Sequence, residues 1–400
     1  MFSTRVATPS LRLALLPAFI SVATVTTACT DPCTDSGTVC TVVGLGTPGN
    51  NEAEHRANRA SLYGPMDVTV RTDANDYFIG DWNNHKIRHV LDGEVQTVVG
   101  TNFLGDGDPD FQERIAPGVP GTEVALNHPT QTEWNPVTGQ LMLPSWHNHR
   151  VRTWTPETGN SLVVGADTDI SDGNGANAGF AGDGGPAADA LMAFPNSIAV
   201  NPDDGSFWLL AQKNTRIRWV AADYSLIDTI AGTGAEGYSG DGGDALEATF
   251  HFWDSDDLQP EPSGAIEYAD GLLYIADTSN HVIRVLDPDT GIIDTLPGTG
   301  AQTLPGGACD ADALCFPRDI EVGPDGRLWI ADEGNHVIRV YDPATETMDT
   351  AVGTFSIGDG DDGAPGLEVS LNRPYGIDID ADGVLLIADT YNHKIRRMTP

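Results

Sequence analysis

One short pattern occurs six times along the chain: an Asn, three residues that end in Val or Ile, and an Arg. Successive copies start 55–66 residues apart, at Asn84, Asn148, Asn214, Asn280, Asn335 and Asn392. A pattern copied at near-regular spacing indicates one small structural unit that is repeated six times and packs on its neighbours. The repeats run almost from end to end, so they predict one domain, although 400 residues alone would suggest two or three.

The clearest copy of the unit, residues 318–353, contains four short apolar segments separated by turn residues. The segments are residues 320–322, 328–331, 336–341 and 348–352, with Gly323-Pro324-Asp325-Gly326 as the first turn. Four antiparallel strands in each of six units predict an all-β, six-bladed β-propeller. The expected blades are residues 65–100, 130–165, 196–232, 263–298, 318–353 and 375–398 plus 38–44.

The two ends of the chain predict how this ring closes. The last copy stops at Pro400 after three strand-like segments, and no fourth segment follows. Residues 39–44 read like the fourth strands that end at Gly100 or Gly353 in other copies. We therefore expect residues 38–44 to complete the last blade within a single propeller of residues 38–400. This closure would remove two exposed sheet edges that otherwise favour aggregation.

The N-terminal segment resembles an export signal. Arg5 and Arg12 precede the apolar stretch of residues 13–25, which predicts a signal peptide over residues 1–28. Thr26-Thr27-Ala28-Cys29 resembles the lipobox of bacterial lipoproteins, in which Cys29 becomes the lipidated N-terminus. Ala28 also suits ordinary signal cleavage, so simple secretion stays open. The expected location is the bacterial cell envelope or the exterior, with residues 29–37 as a short tether.

The cysteine count fits this interpretation. If Cys29 carries a lipid, four of the five cysteines remain, and an exported protein is expected to oxidise them. The local pairs are Cys33–Cys40 and Cys309–Cys315, although four cysteines allow three connectivities. Neither pair has the spacing of a zinc site.

The charge of the chain restricts its partners. With 58 acidic and 21 basic residues, the formal net charge is −37. Such a surface repels phosphate backbones, which disfavours nucleic-acid binding. Membrane contact is expected only through the lipid anchor, so a protein, a peptide or a glycan remains as the partner class.

The repeated residues resemble those of the NHL repeat family. Five of the six copies contain Asn-His, and the glycine-rich segment of residues 232–243 looks like the loop found in that family. The resemblance covers about residues 39–398 and implies a six-bladed propeller without fixing a function.

The residues of the repeat are interpreted here as structural. The Asn should adopt the left-handed backbone of a tight turn. An Asp three residues earlier should cap that turn in four copies, whereas Ser145 and Ala211 replace it in the second and third. The repeat Arg should be paired, because blade faces pack against neighbours.

Ligands of propellers bind at the end of the central channel, on the face that carries the longer loops. On this face we expect a channel rim of acidic, basic, amide and aromatic side chains. The candidates are Asp67, Trp82, His128, Trp146, Asn196, Asp254, Arg318, Asp319, Arg373 and Tyr375. They would bind a polar ligand or line a water-filled mouth. Trp82 and Trp146 would stack on a sugar, pack on a partner protein, or pack beneath a neighbouring loop.

Catalysis is the alternative function. Related amidating lyases hold zinc with three His, but only His128, with His251 next, should lie near this rim. Lactonase-like propellers use carboxylates and Asn around a divalent metal, which Asp67, Asn196, Asp254 and Asp319 would imitate. Residues 106–110 and 359–362 bunch carboxylates as calcium sites do, although turn chemistry explains them first.

The preferred hypothesis is a non-catalytic binding or scaffold propeller without a cofactor. A metal-dependent lyase or hydrolase at the channel mouth, and a purely structural envelope component, are the competing hypotheses.

Overall fold

Six antiparallel sheets, one for each copy of the sequence pattern, make up the described part of the chain. The computed structural model describes residues 35–51, 55–101, 118–166, 178–252, 261–299 and 311–400, all within the compact unit Pro32–Pro400. Each sheet has four main strands, which confirms the predicted all-β, six-bladed propeller. In blades 1 to 5 these strands lie in chain order from the channel outward, and in blade 6 the N-terminal strand takes the outer place.

The first half of the chain forms one lone strand and three blades. The lone strand is β1 (Thr38–Val43). Blade 1 contains β2 (Pro65–Asp73), β3 (Asp76–Asp81), β4 (Lys86–Leu91) and β5 (Glu94–Val99). Blade 2 contains β6 (Glu133–Asn135), β7 (Gln140–Ser145), β8 (Arg150–Thr155) and β9 (Gly159–Val164). Blade 3 contains β10 (Pro195–Val200), β11 (Phe207–Ala211), β12 (Arg216–Val220) and β13 (Ile227–Ala231).

The second half forms three more blades and two very short outer strands, β14 (Gly243–Asp244) and β23 (Ala364–Pro365). Blade 4 contains β15 (Ala265–Ala269), β16 (Leu272–Asp277), β17 (Val282–Asp287) and β18 (Ile292–Thr295). Blade 5 contains β19 (Pro317–Val322), β20 (Leu328–Asp332), β21 (Val337–Asp342) and β22 (Thr347–Val352). Blade 6 contains β24 (Ile377–Ile379), β25 (Leu385–Asp389) and β26 (Lys394–Met398).

Strand β1 closes the ring as predicted. It pairs antiparallel with β26, with Val39 opposite Met398 and Cys40 opposite Arg397. Val39 packs into the apolar core between blades 5 and 6, and Val43 packs into the core between blades 6 and 1. The N-terminal strand therefore contributes side chains to two interfaces of the ring as well as the outer edge of blade 6.

The repeat motif sits in a 3-10 turn that joins the second strand of each blade to the third. These turns are Trp82–Asn84, Trp146–Asn148, Gln212–Asn214, Thr278–Asn280, Glu333–Asn335 and Thr390–Asn392. The prediction that Asn adopts the left-handed backbone was wrong, because the next residue does so, with φ of 58° at His281 and 51° at Thr215. The Asn instead uses its amide, as in Asn335, which donates to the carbonyl of Ala313 and to Asp332.

The repeat His links each blade to the next one. His281 Nδ1 accepts the backbone N–H of Phe316 at 3.0 Å, and His393 Nδ1 accepts that of Gly64 at 3.0 Å. His85, His149 and His336 make the same contact with His128, Phe194 and Arg373. The ring nitrogen thus satisfies a donor at the entrance of the next first strand, and this requires a neutral imidazole.

Replacing this imidazole acceptor should destabilise the contact between two neighbouring blades of the propeller. We expect His281→Ala to lower the free energy of unfolding by about 1–2 kcal/mol, because the N–H of Phe316 loses its partner. His281→Asn should cost less, since an Asn oxygen stands at the position of Nδ1 and Asn tolerates a left-handed backbone. Urea unfolding of both variants measures the difference, and equal losses would contradict the proposed role of the ring nitrogen.

The repeat Arg is paired, as the sequence predicted, and its partner in four blades is the repeat Asp. Asp332 accepts from the backbone N–H of Cys315 at 2.7 Å and from Arg339 at 2.9 Å. Asp81, Asp277 and Asp389 hold the matching Arg of blades 1, 4 and 6. In blades 2 and 3, where the Asp is missing, Asn148 and Asn214 accept the equivalent loop N–H groups.

Some predictions concern residues that the structure does not describe. Cys40 and Cys315 are disulfide-bonded, whereas the expected partners Cys33 and Cys309 lie outside the described residues. The signal peptide, Cys29 and the acidic segment of residues 106–110 also lie outside them. Within the described ranges, no helix has the length and apolar character needed to cross a membrane.

Candidate functional site

The 3-10 turns and the residues that precede the first strands meet around the channel axis at one end of the ring. They enclose a pocket of about 620 Å³. Its walls come from blades on different sides of the ring, which places the pocket at the mouth of the central channel. The lining residues include Tyr63, Met66, Trp82, Asn83, His128, Trp146, His147, Glu261, Tyr391 and His393.

Aromatic rings form the side of the mouth contributed by blades 1 to 3. The ring centres of Trp82 and Trp146 are 5.5 Å apart, and Phe194 lies 4.5 Å from Trp146. Trp82 is 8% and Trp146 1% exposed, and Trp146 Nε1 donates to Gln212 at 2.9 Å. Of the alternatives drawn from the sequence, the structure favours packing within the protein over an exposed tryptophan pair. Both side chains nevertheless line the pocket.

Three imidazoles meet beside these tryptophans. The ring of His128 lies 4.4 Å from His85 and 4.8 Å from His147, centre to centre. Burial lowers the pKa of His128 to about 3 and that of His147 to about 4, so both rings are neutral near pH 7. The sequence placed only His128, and then His251, near this rim. In the described part of the chain, no group of three or more His, Cys, Asp or Glu is arranged to hold a metal ion.

Opposite these rings, Glu261 lines the pocket and belongs to a network of charged side chains from blades 4 to 6. Arg373 donates to Glu333 through Nε and to Glu261 through a terminal nitrogen at 2.7 Å. Arg318 contacts the same carboxylates, at 3.3 Å from Glu333 and 3.7 Å from Glu261. Two guanidinium groups therefore balance two carboxylates, and this network carries no net charge.

Two tyrosines, the buried Tyr375 and the exposed Tyr391, add hydroxyl groups to the charged network. The hydroxyl groups of Tyr375 and Tyr391 donate to Glu261, and the Arg373 guanidinium lies 4.6 Å from the ring centre of Tyr391. Burial opposes ionisation of Glu261, but hydrogen bonds from both tyrosines and the nearby charges of Arg318 and Arg373 outweigh it. The pKa of Glu261 consequently lies below its ordinary value.

Three of the predicted rim residues bind the next blade instead of facing a ligand. Asp67 accepts the backbone N–H of Thr132 at 2.7 Å, and Asp319 accepts that of Ile377 at 2.8 Å. Asn196 donates to the carbonyl of Gly264 at 2.5 Å. Inner strands lack a sheet partner on the channel side, so these polar groups satisfy their backbone. All three side chains are buried below the mouth.

Below the mouth, the channel is lined by carboxylates from five of the six blades. They are Asp67, Glu133, Glu267, Asp319, Glu321 and Asp378. Among the described residues that line this part of the channel, none is basic. Burial, with repulsion between neighbouring carboxylates, raises the pKa of Asp378 to about 7 and that of Glu267 to about 8.

These carboxylates should make the folded protein less stable as the pH rises through neutrality. Between pH 6.5 and 8 the native state keeps protons that the unfolded chain has already lost, so the free energy of unfolding falls. The buried histidines act in the opposite direction, but below pH 6.5, because their pKa values are lowered. We expect Glu267→Gln to flatten the decrease, as measured by urea unfolding at both pH values. A wild-type stability that rises over this interval would contradict the assignment.

Several residues of the mouth were not predicted from the sequence, although the position of some of them in the repeat could have identified them. Glu333 occupies the same turn position as Trp82 and Trp146, and Tyr391 occupies the position of His147. An alignment of the six turns would have found both. Tyr63 and Glu261 lie in loops without a motif. The predicted Asp254 lies outside the described residues.

Residues 359–362, the second segment considered as a calcium site, already contact basic side chains. Asp359 accepts from Lys394 at 2.6 Å and from Arg396 at 2.5 Å. Asp362 binds the backbone N–H of Thr41 at 2.8 Å. These carboxylates therefore hold the closing strand and the last repeat Arg in place.

Comparisons with known proteins agree with this architecture. The model of the NHL repeat matches residues 314–341. The chain is 26% identical over 290 residues to Protein SUPPRESSOR OF QUENCHING 1, chloroplastic, of Arabidopsis thaliana, which covers 71% of this chain and 25% of that protein. The chain spans less than half the length of the first curated relatives it matches.

Two solved structures from Bacteroides thetaiotaomicron share the fold. A structural genomics protein of unknown function aligns with a TM-score of 0.62 and 15% identity, over 90% of this chain and 75% of that one. An auxiliary nutrient binding protein aligns with a TM-score of 0.58 and 15% identity, over 90% and 75% of the two chains. At this identity the likeness shows the fold alone.

Proposed function

We propose that this chain, a six-bladed β-propeller built from NHL repeats, is an exported binding protein whose ligand enters the mouth of the central channel. The observation that carries the proposal is the pocket of about 620 Å³, which aromatic rings line on one side and Glu261, a member of the charge-balanced network, lines on the other. Small-molecule sites typically occupy about 300–1,000 Å³ and combine apolar walls with a few placed polar groups.

The ion pairs near the mouth favour binding over catalysis, because their charged groups already have partners. Arg318 and Arg373 are held by Glu261 and Glu333, so these charges serve to fix the shape of the mouth. One solved neighbour of the same fold is named as a nutrient binding protein, so this fold is compatible with binding. Partners of this class are a glycan, a peptide or a protein segment, and export to the bacterial envelope would place the mouth where such ligands occur.

A metal-dependent lyase or hydrolase is the second candidate. The observation nearest to it is the convergence of His85, His128 and His147, because imidazole is a common ligand of catalytic zinc, although these described rings are not arranged as a metal site. The two candidate functions differ in whether the purified protein should retain a bound metal ion.

Metal analysis separates the candidates. After equilibration with Zn²⁺ and gel filtration, we expect less than one metal ion per chain. A stoichiometric ion that is lost in the variant His128→Ala but retained in His251→Ala would overturn a purely binding function.

Thermal unfolding tests the binding function itself. A ligand present at 100 times its Kd stabilises the folded state by about 2.7 kcal/mol. We expect small-molecule extracts of growth medium to raise the melting temperature of the wild type but not of Tyr391→Ala. The same increase in both proteins would place the ligand outside the mouth.

A further inference from the structure

We infer that the ligand of the channel mouth is an uncharged saccharide, held against the exposed rings of Tyr63 and Tyr391. This inference rests on the proposed binding function and narrows it to one chemical class. Three observations carry it: the accessible rings, the charge balance of the mouth, and the polar groups at its rim.

The accessible aromatic surface belongs to the tyrosines and not to the tryptophans. Tyr63 is 43% and Tyr391 39% exposed, and both line the pocket. The ring of His393 lies edge-on to Tyr63, with centres 5.7 Å apart. These rings therefore present apolar faces to a ligand in the pocket while one end of each tyrosine stays polar.

The electrostatics of the mouth favour a ligand without net charge. The chain as a whole carries a formal charge of −37, which would repel an anionic ligand. Each guanidinium of the mouth already has a carboxylate partner, with Arg373 at 2.7 Å from Glu261. A charged ligand would have to break such a pair and leave a partly buried charge without a partner, which costs several kcal/mol by rough estimate.

The rim supplies groups that both donate and accept hydrogen bonds. The exposed Asn83 lines the pocket beside Gly64, and its backbone N–H donates to the carbonyl of Tyr63 at 3.1 Å. A side-chain amide offers two donors and one acceptor oxygen, and a tyrosine hydroxyl offers both functions. The hydroxyl groups of a sugar also both donate and accept hydrogen bonds. They can therefore bind these amide and hydroxyl groups without carrying a charge.

Isothermal titration calorimetry of the full mature chain tests the inference. The panel contains neutral trisaccharides (cellotriose, maltotriose, xylotriose, mannotriose and N-acetylchitotriose), the anionic trigalacturonate, and the non-sugars tryptophan and adenosine. We expect at least one neutral trisaccharide to bind, and Tyr391→Ala and Asn83→Ala each to weaken it at least about tenfold. The control Phe355→Ala removes an exposed ring that does not line the pocket and should leave the affinity unchanged.

The other outcomes overturn the inference in distinguishable ways. Tighter binding of trigalacturonate than of every neutral sugar would contradict the role of charge balance. Binding of only tryptophan or adenosine, weakened by Tyr391→Ala, would reject a saccharide while keeping a binding mouth. Saccharide binding that both mouth variants leave unchanged would reject the site, and no binding by any member would reject the saccharide. Thermal melts of each variant verify that it is folded.

Discussion

Deletion of residues 35–44 should lower the melting temperature of the propeller by about 6 °C or cause it to aggregate. The deletion removes β1, so β26 becomes an exposed sheet edge and blade 6 keeps only three main strands. It also uncovers apolar side chains in two inter-blade cores, from which Val39 and Val43 are lost. A loss of roughly 5 kcal/mol follows from burial of about 1.5–3 kcal/mol for each valine and from the broken strand pairing.

Calorimetry of the protein with and without residues 35–44 measures this effect. The substitution Leu45→Ala is a suitable control, because Leu45 follows the same strand and is exposed. We expect the control to melt as the wild type does. Unchanged melting of the deletion variant would mean that the ring closes without its N-terminal strand.

The second large effect is expected from Asp332→Ala, which should lower the free energy of unfolding by about 3–5 kcal/mol. Asp332 accepts hydrogen bonds from Arg339, Asn335 and the backbone N–H of Cys315. Its removal leaves a buried guanidinium and a buried backbone donor without their carboxylate. Urea unfolding at pH 7 measures the loss.

An exposed ion pair in the same blade provides the matched control. Asp325 and Arg327 lie 2.6 Å apart, and both are about half exposed. Because solvent screens such a pair, Asp325→Ala should cost less than about 1 kcal/mol. Equal losses in Asp325→Ala and Asp332→Ala would show that the repeat Asp does not stabilise the blade through its buried partners.

The sequence predicted the ring because the signals that define it are local and repeated. Each blade carries its own turn residues and alternating strands, so six copies predict six sheets. The closure by residues 38–44 was predicted as well, because the last copy lacked a strand that the N-terminal segment could supply, and β1 provides that strand. A paired repeat Arg was predicted as well, but its partner, the repeat Asp of the same blade, was assigned only to a turn cap.

The candidate site was predicted less well, because it depends on contacts between blades. The contact of His281 with Phe316 joins residues 35 positions apart, and no spacing within one repeat reveals it. Asp67 and Asp319 were assigned to a ligand because a carboxylate near the axis looks the same in sequence whether it binds a ligand or the backbone of the next blade. Glu261 was missed because its partners Arg373 and Tyr391 come from another blade.

The most direct test of the account is a crystal structure of the protein with the tightest-binding trisaccharide of the panel. We predict electron density for the sugar in the channel mouth, in contact with Tyr63, Tyr391 and the exposed amide of Asn83. Density on the opposite face of the ring or along the outer edge of a blade, with an empty mouth, would contradict the central claim.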